Sequence, residues 1–243
     1  MSVKRLIRRS LNAVGYDAHR FLASESSWAQ LARLISFHRI DYVVDVGANV
    51  GQYAQQLRFL DYRGDILSFE PMQDAHAVLM RNASSDARWK VAPRLCVGDQ
   101  EGTATLQISA NNESNSVADV LPASTEVAPS SRFVRSEQVP ITTLDIYFRQ
   151  NPLPARAIPL LKLDVQGFEH RVLAGAKDTL PRFTSIQCEL SLVPLYAGQP
   201  LLGDMLAILR EAGFELHAML PGFTDEKTGR SLQMDGIFFR AKP

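Results

Sequence analysis

The chain has 243 residues, 46% hydrophobic and 21% charged, which is enough to bury a full core and is most simply one α/β domain. Its 26 basic and 26 acidic residues cancel, so nothing in the overall charge argues for a polyanionic partner such as nucleic acid, and no nucleic acid is expected; only local patches are left to carry charge. No run approaches the roughly 20 apolar residues of a membrane span, and the charged start is unlike a secretory signal, so the cytoplasm is the expected location.

Residues 1–37 read as an N-terminal helical extension. Val3, Leu6, Ile7 and Leu11 fall at helical spacing with Lys4, Arg5, Arg8 and Arg9 around them. That pattern suits peripheral contact with an anionic membrane surface, or packing on the chain's own domain or a partner subunit. A second helix is expected from Ser24 as N-cap, with Trp28, Leu31, Ala32 and Ile35 at i, i+3, i+4 and i+7.

Residues 42–51, YVVDVGANVG, then combine a strand with a glycine turn, and Gln52 to Leu60 continue as a helix. At the carboxyl end of such a strand a nucleotide-like ligand can approach the backbone and the free N–H groups of the helix. A second apolar strand, Ile66 to Phe69, ends at Glu70. The acid falls about 20 residues past the turn, where a carboxylate can take both ribose hydroxyls of an adenosine. Two ligands fit, a dinucleotide and S-adenosylmethionine. Asn49 stands where a pyrophosphate turn needs its middle glycine, and Asp45 would repel a pyrophosphate while suiting a sulfonium and an amino group. The pattern D-x-G-x-N-x-G resembles motif I of the class I methyltransferases.

Further along, a helix is expected over Asp74 to Asn82 and a strand over Lys90 to Val97. Asp99 after it is either an acceptor for the adenine amino group or a turn residue of GDQEG, with a returning strand over Gly102 to Ile108. Residues 109–137 have few apolar side chains, and read as a lid or a disordered excursion in which Asn115 and Ser116 are the candidate acceptor contacts. After a short helical run, LDIYF, comes IPLLKLDVQGFEHRVLAGA, a buried strand broken by Gly167 into a helix. Asp164 lies at that strand's carboxyl end, where α/β enzymes keep their chemistry; capping the helix or pairing with Lys162 is the structural alternative. A strand over Ser185 to Leu190 holds Glu189, a helix runs from Leu201 to Ala212, and strands over Phe214 to Leu220 and Met234 to Arg240 close the chain as a hairpin. Cys96 and Cys188 sit in apolar strand-like runs as reduced packing residues.

In order, VVDVGANVG, SFEP, GDQEGTATL, TTLD, LLKLDVQGFEHRVLAGA, QCELSLVPLY and GFTDEKTGRSLQMDGIFFR resemble the FkbM family of S-adenosylmethionine-dependent methyltransferases. The similarity runs through the domain of residues 38–243. It implies a Rossmann-like class I methyltransferase fold, with a seven-stranded, mostly parallel sheet of order 3-2-1-4-5-7-6 and strand 7 antiparallel. It also implies methyl transfer to an oxygen, often a sugar hydroxyl of a glycolipid, polysaccharide or glycosylated metabolite, sometimes a polyketide hydroxyl. Carried over residue by residue, it puts the cofactor at Asp45, Gly47, Asn49, Gly51 and Glu70, with Asp164 facing the methionine end or the acceptor. Gln166 stands where many members have Glu, so no mechanism here can require a charge at that position.

An alcohol must lose its proton as it attacks, and a carboxylate beside the methyl can take it. Asp164 is the first candidate and Glu189 the second, with Asp235 and His217 expected on the acceptor side near the facing ends of the last two strands. Converging acids could instead hold Mg²⁺, but no dense ligand motif supports a metal and the metal-free route ranks above it. His170 reads as a helix-surface residue, and Tyr196, Phe223 and Met219 as core or as an apolar platform for a sugar face. The rival functions are a methyltransferase-fold binding module without turnover and a nicotinamide oxidoreductase.

Overall fold

The computed structural model describes residues 3–16 and 18–241. They fall into two units, one ending at Arg39 and the other beginning at Ile40. The first holds α1 (Val3–Ala13) and α2 (Ser27–Phe37). The N-cap of α2 is Ser26, whose Oγ accepts the Ala29 N–H at 3.4 Å, so the helix starts later than a cap at Ser24 would have it. On α1, the side chains of Val3, Lys4 and Leu6 lie outside the described residues.

The second unit opens as β1 (Tyr42–Val46), α3 (Gln52–Phe59), β2 (Asp65–Phe69), α4 (Gln73–Ala83) and β3 (Trp89–Val91). It continues as β4 (Cys96–Val97), β5 (Gly102–Ser109), α5 (Pro122–Val127), β6 (Phe133–Thr142), α6 (Leu144–Gln150), β7 (Pro159–Leu163), α7 (Glu169–Ala174) and β8 (Ser185–Ser191). It closes with α8 (Leu202–Glu211), β9 (Phe214–Pro221), the small hairpin β10 (Thr224–Asp225) and β11 (Arg230–Ser231), and β12 (Gln233–Arg240).

The main sheet has the order β3-β2-β1-β7-β8-β12-β9. With only its own seven strands numbered in chain order, this is 3-2-1-4-5-7-6, and β12 runs antiparallel to both β8 and β9. The expected methyltransferase topology is therefore the observed one. The central strands are buried on both faces, which is why they read as continuous apolar runs rather than as alternations. Val44, Val46, Leu161, Leu163, Ile186 and Cys188 face a core completed by α6, α7 and α8. Burying each large aliphatic chain there contributes about 1.5–3 kcal/mol.

Two expectations are corrected. The run from Lys90 to Val97 is not one strand. Pro93 cannot donate to a ladder, so β3 stops at Val91 and the chain leaves the sheet. Cys96 and Val97 then pair with β6 in a separate three-stranded sheet of order β4-β6-β5. Nor are residues 109–137 an open excursion, because α5 and the first half of β6 lie within them and β6 pairs antiparallel along β5. Only Val139 and Ile141 of β6 are fully buried, so the strand is held by its backbone ladder and has little apolar periodicity to betray it.

Strand register sets the chemistry. Asp45 of β1 is the register partner of Lys162 of parallel β7, and Glu189 of β8 is the partner of Asp235 of antiparallel β12. Those pairs put four ionisable side chains near the carboxyl ends of β1, β7 and β8 and the amino end of β12.

Candidate active site

The turn after β1 carries Gly47 at φ +84°, Asn49 at φ 48° and Gly51 at φ +93°. A Cβ on Gly47 would stand 1.8 Å from the Asp164 carbonyl oxygen, so only glycine lets the β1 and β7 turns meet backbone to backbone. Asn is among the few side chains that tolerate the left-handed region Asn49 occupies.

Below this turn Asp45 is completely buried. The Lys162 ammonium lies 3.2 Å from its Oδ1 and 3.3 Å from Asp164 Oδ2, and 5.3 Å from the centre of the Tyr53 ring. Tyr53 in turn donates to Gln187 at 2.8 Å. Burial pushes the Asp45 carboxyl up and Lys162 pulls it back. Burial also works against the Lys162 ammonium, but Asp164, Asp45 and Asp235 outweigh it and keep the lysine protonated. Beyond this ion pair, only the hydroxyl of Ser68 on the neighbouring strand is placed to turn toward Asp45, and neither carboxylate oxygen has another aligned hydrogen-bond donor in the protein. Buried carboxylates are normally saturated with donors, so this one fits a site completed by a cationic or N–H-bearing ligand group.

Glu70 closes the other side. Its Oε2 accepts the Asn49 N–H at 2.7 Å and its Oε1 the Met72 N–H at 2.8 Å, and burial raises its pKa to about 7. Each carboxylate oxygen keeps a second lone pair, so the same side chain can brace the turn and still accept two ribose hydroxyls.

At the turn after β7 Asp164 accepts from Gln166 Nε2 at 2.9 Å, and its side chain is 40% exposed. Glu189 accepts from Gln233 Nε2 at 2.5 Å and from Gln166 Nε2 at 3.4 Å. Burial first, then the neighbouring Asp164, Glu169 and Asp235, push its pKa well above the usual carboxylate range. Burial and Asp164 likewise raise Asp235, to about 6. Gln166, at φ 54°, is oriented by the Tyr196 hydroxyl, which donates to its Oε1 at 2.6 Å. Glu169, raised by burial to about 7, accepts the Val165 and Gly167 N–H groups at 2.9 and 3.3 Å and shapes the same turn. Among the described residues no three His, Cys, Asp or Glu side chains are grouped to hold a metal ion.

The segment 109–116 crosses this crevice. Asn112 C=O accepts from Asn49 Nδ2 at 3.1 Å, Asn115 Nδ2 reaches the Met72 sulfur at 3.3 Å, and Ser116 Oγ donates to Gln166 C=O at 2.7 Å. Asn115 also takes the Ser109 N–H at 2.9 Å, so it and Ser116 fasten the strap to the turns at the ends of β1, β2 and β7. Tyr196 and Phe223 lie in a small apolar cluster with Leu195, Leu232 and Val120.

Other expected residues fall elsewhere. His217 is not on the acceptor side: β12 runs antiparallel, and the ring of His217 packs on Phe239, 4.8 Å away, in the row that pairs with Ser185 at the amino end of β8. Asp99 accepts from Arg171 Nη1 of α7 at 2.8 Å, an ion pair beside the turn it occupies. His170 is half-buried against Phe168 rather than on a helix surface. Cys96 and Cys188 are free and buried, as expected.

The sequence pointed to the acids and to the pairing of Asp164 with Lys162, which forms at 3.3 Å, but not to the reach of that lysine to Asp45 or to the other residues that organise the acids. Lys162, Gln166, Glu169 and Gln233 all contact the acids or their turn. A lysine inside LLKLD was the available signal, since a charge in a strand buried on both faces requires a partner.

Residues 45–216 match the model of the methyltransferase FkbM domain. The 2-O-methyltransferase NoeI of Sinorhizobium fredii (strain NBRC 101917 / NGR234) is 28% identical over 186 residues, 74% of either chain. Among solved structures, the METTL16 MTase domain superposes with a TM-score of 0.50 at 10% identity, over 88% of this chain and 66% of that one. TrmK of M. capricolum, in complex with S-adenosyl-homocysteine, gives 0.47 at 8% identity, over 88% and 68%.

Proposed function

The chain belongs to the FkbM methyltransferase family, and on that premise we propose that it is an S-adenosylmethionine-dependent O-methyltransferase. Its acceptor is a sugar hydroxyl of a glycolipid, polysaccharide or glycosylated metabolite. The observation that carries the donor assignment is Asp45, a fully buried carboxylate that its ion pair with Lys162 satisfies only in part, beneath a glycine turn whose middle position is Asn49. A pyrophosphate there would meet negative charge; a sulfonium and an ammonium would meet complementary charge. Oxygen as the acceptor atom is supported by the likeness to NoeI, whose name records 2-O-methylation.

Bound S-adenosylmethionine supplies an electrophilic methyl group on its sulfonium. The chain's own residues do the rest. Asp45 and the Gly47–Gly51 turn hold the cationic end, and Glu70 holds the ribose while bracing Asn49 and Met72. Asp164, whose side chain is 40% exposed where that of Asp45 is closed off, takes the acceptor proton at a carboxylate oxygen as attack proceeds. Glu189, whose carboxyl holds its proton more tightly than usual because of burial and its acidic neighbours, can in its protonated form donate a hydrogen bond to a second hydroxyl of the acceptor. Asp235 is its acceptor-side neighbour across the register. The strap through Asn115 and Ser116 keeps water from the reacting atoms.

The test has two parts. Calorimetric titration should show S-adenosylmethionine and its demethylated product binding the folded protein, and mass spectrometry of glycolipids and polysaccharides from a deletion strain should reveal species lighter by one methyl. Absence of heat and of thermal shift over a wide concentration range overturns the donor assignment. Unchanged glycans beside a lighter small-molecule metabolite overturn the acceptor class.

A further inference from the structure

The chain is neutral overall, but its charge is divided. Seven of its 26 Lys and Arg residues and only two of its 26 Asp and Glu residues precede Ile40, so the first unit carries a net charge of +5 and the remainder −5. The cations concentrate on α1, whose sequence VKRLIRRSLNA contains no acid. Arg5, Arg8 and Arg9 of that helix are exposed. Ile7, Leu11 and Val14 recur at i, i+4 and i+7, the spacing of one helical face, with Arg5 and Arg9 on the side away from it.

Exposed apolar side chains continue along the sequence past the helix. Of the 11 large hydrophobic side chains exposed among the described residues, five fall between positions 7 and 22: Ile7, Val14, Tyr16, Phe21 and Leu22. Tyr16 is 70% and Ile7 55% exposed. Scattered exposed hydrophobics are ordinary, but a cluster within one short basic segment is not. Large apolar and aromatic groups beside Lys and Arg, with almost no acid, match the boundary between anionic headgroups and acyl chains. No helix of the described residues is long and apolar enough to cross a membrane.

We infer that the first unit is a membrane-surface anchor: α1 and the segment to Leu22 seat Ile7, Val14, Tyr16 and Phe21 at the acyl boundary of an anionic bilayer while the arginines meet its headgroups. The net-negative second unit is repelled by the same surface, so the contact is confined to the first. The inference stands apart from methyl transfer, although an anchored enzyme would meet a lipid-linked acceptor at the surface where it lies.

The experiment is flotation of the full chain with phosphatidylcholine vesicles, with and without roughly 30% phosphatidylglycerol, at low and high salt. The protein should float with the anionic vesicles, stay behind with the neutral ones, and be released by salt. Each Lys or Arg near such a surface contributes about fivefold to partitioning, so Arg5→Glu/Arg8→Glu/Arg9→Glu should weaken binding by on the order of 100-fold. Ile7→Asp should weaken it about tenfold. Phe59→Asp, at an 80% exposed site on α3, should change nothing. Melting curves matching the parent show that the variants fold. Failure to float with anionic vesicles, equal flotation with both lipids, or binding that survives the triple substitution overturns the inference. So does a lipid-free dimer that Ile7→Asp dissociates, because the face would then belong to a second copy of the chain.

Discussion

Replacing Lys162 with methionine keeps an unbranched side chain, one heavy atom shorter, and removes its charge. Lys162 is 6% exposed and lies 3.2 Å from Asp45 and 3.3 Å from Asp164. The two acids do not lose equally. The Asp164 side chain is 40% exposed and can turn to water, whereas that of Asp45 is 0% exposed and cannot. Breaking a buried pair by removing one partner costs about 3–5 kcal/mol, and with one acid able to rehydrate we expect about 3 kcal/mol. For a chain of this size each kcal/mol lowers the melting temperature by about 2–4 °C, which predicts a fall of about 6–12 °C at neutral pH. The deficit should shrink in acid, because burial already raises Asp45 and loss of Lys162 raises it further, so the carboxyl becomes neutral as the pH falls. Adding Asp45→Asn to Lys162→Met removes the stranded charge and should recover stability to within about 1 kcal/mol of the parent, a coupling that a double-mutant cycle reads directly. The double variant should still fail to bind S-adenosylmethionine calorimetrically. A single variant that melts within about 3 °C of the parent, or a double variant no better than the single, would refute the claim that Lys162 neutralises Asp45.

Glu169→Gln keeps an oxygen for the Val165 and Gly167 N–H groups. The folded pKa of Glu169, about 7, is raised above its unfolded value of 4.5, so its contribution to stability is complete below about pH 4.5 and is lost as the pH rises through 7. The parent should therefore melt lower at pH 8 than at pH 5.5 and the variant should show a flatter profile; parallel pH profiles would sink this assignment. Asp164→Asn should lower kcat by about 10²–10⁴-fold with little change in cofactor affinity, as single-turnover kinetics and calorimetry together would report. Glu70→Ala should weaken cofactor binding by at least about tenfold, since it removes a charged acceptor and frees the Asn49 and Met72 N–H groups; equal affinity in variant and parent would count against the ribose assignment. Gly47→Ala puts a carbon 1.8 Å from the Asp164 carbonyl oxygen and should give protein that fails to reach a cooperative melt.

The topology was legible because parallel strands buried on both faces leave long apolar runs, and YVVDV, DILSF and PLLKL stand out in any window. The second sheet was far less so. β6, FVRSEQVPIT, is polar on most of its length and owes its place to pairing with β5, a non-local ladder that single-sequence periodicity does not report. His217 shows the same blindness. Alternation places its side chain on a face of β9 but does not give the height at which antiparallel β12 pairs with it, and the ladder there shifts register between Ile237 and Phe238. Asp45, Glu70 and Asp164 were visible because strand ends are visible. Gln166, Tyr196 and Gln233 were not, since an amide or a phenol acquires its role only from neighbours brought by other strands, as Gln166 does between Asp164 and Glu189 while Gln233 reaches Glu189 and Tyr196 holds Gln166.

Why the site holds its acids in such excess follows from the same geometry. Lys162 alone faces Asp45, Asp164 and Asp235, and Glu189 adds a fourth carboxyl whose pKa burial and those acids push up. If Asp45, Asp164 and Asp235 all ionise, one lysine leaves the dry end of the crevice with negative charge in excess. Such an excess favours a donor that arrives as a cation and becomes neutral at sulfur once its methyl has left. It penalises an anionic acceptor at the same strand ends. Phosphorylated or uronic-acid hydroxyls should therefore be methylated far more slowly than neutral or amino sugars of the same configuration. Comparing kcat/KM for such a pair, once an acceptor is in hand, measures that preference, and equal values would mean that the carboxylates do not face the substrate.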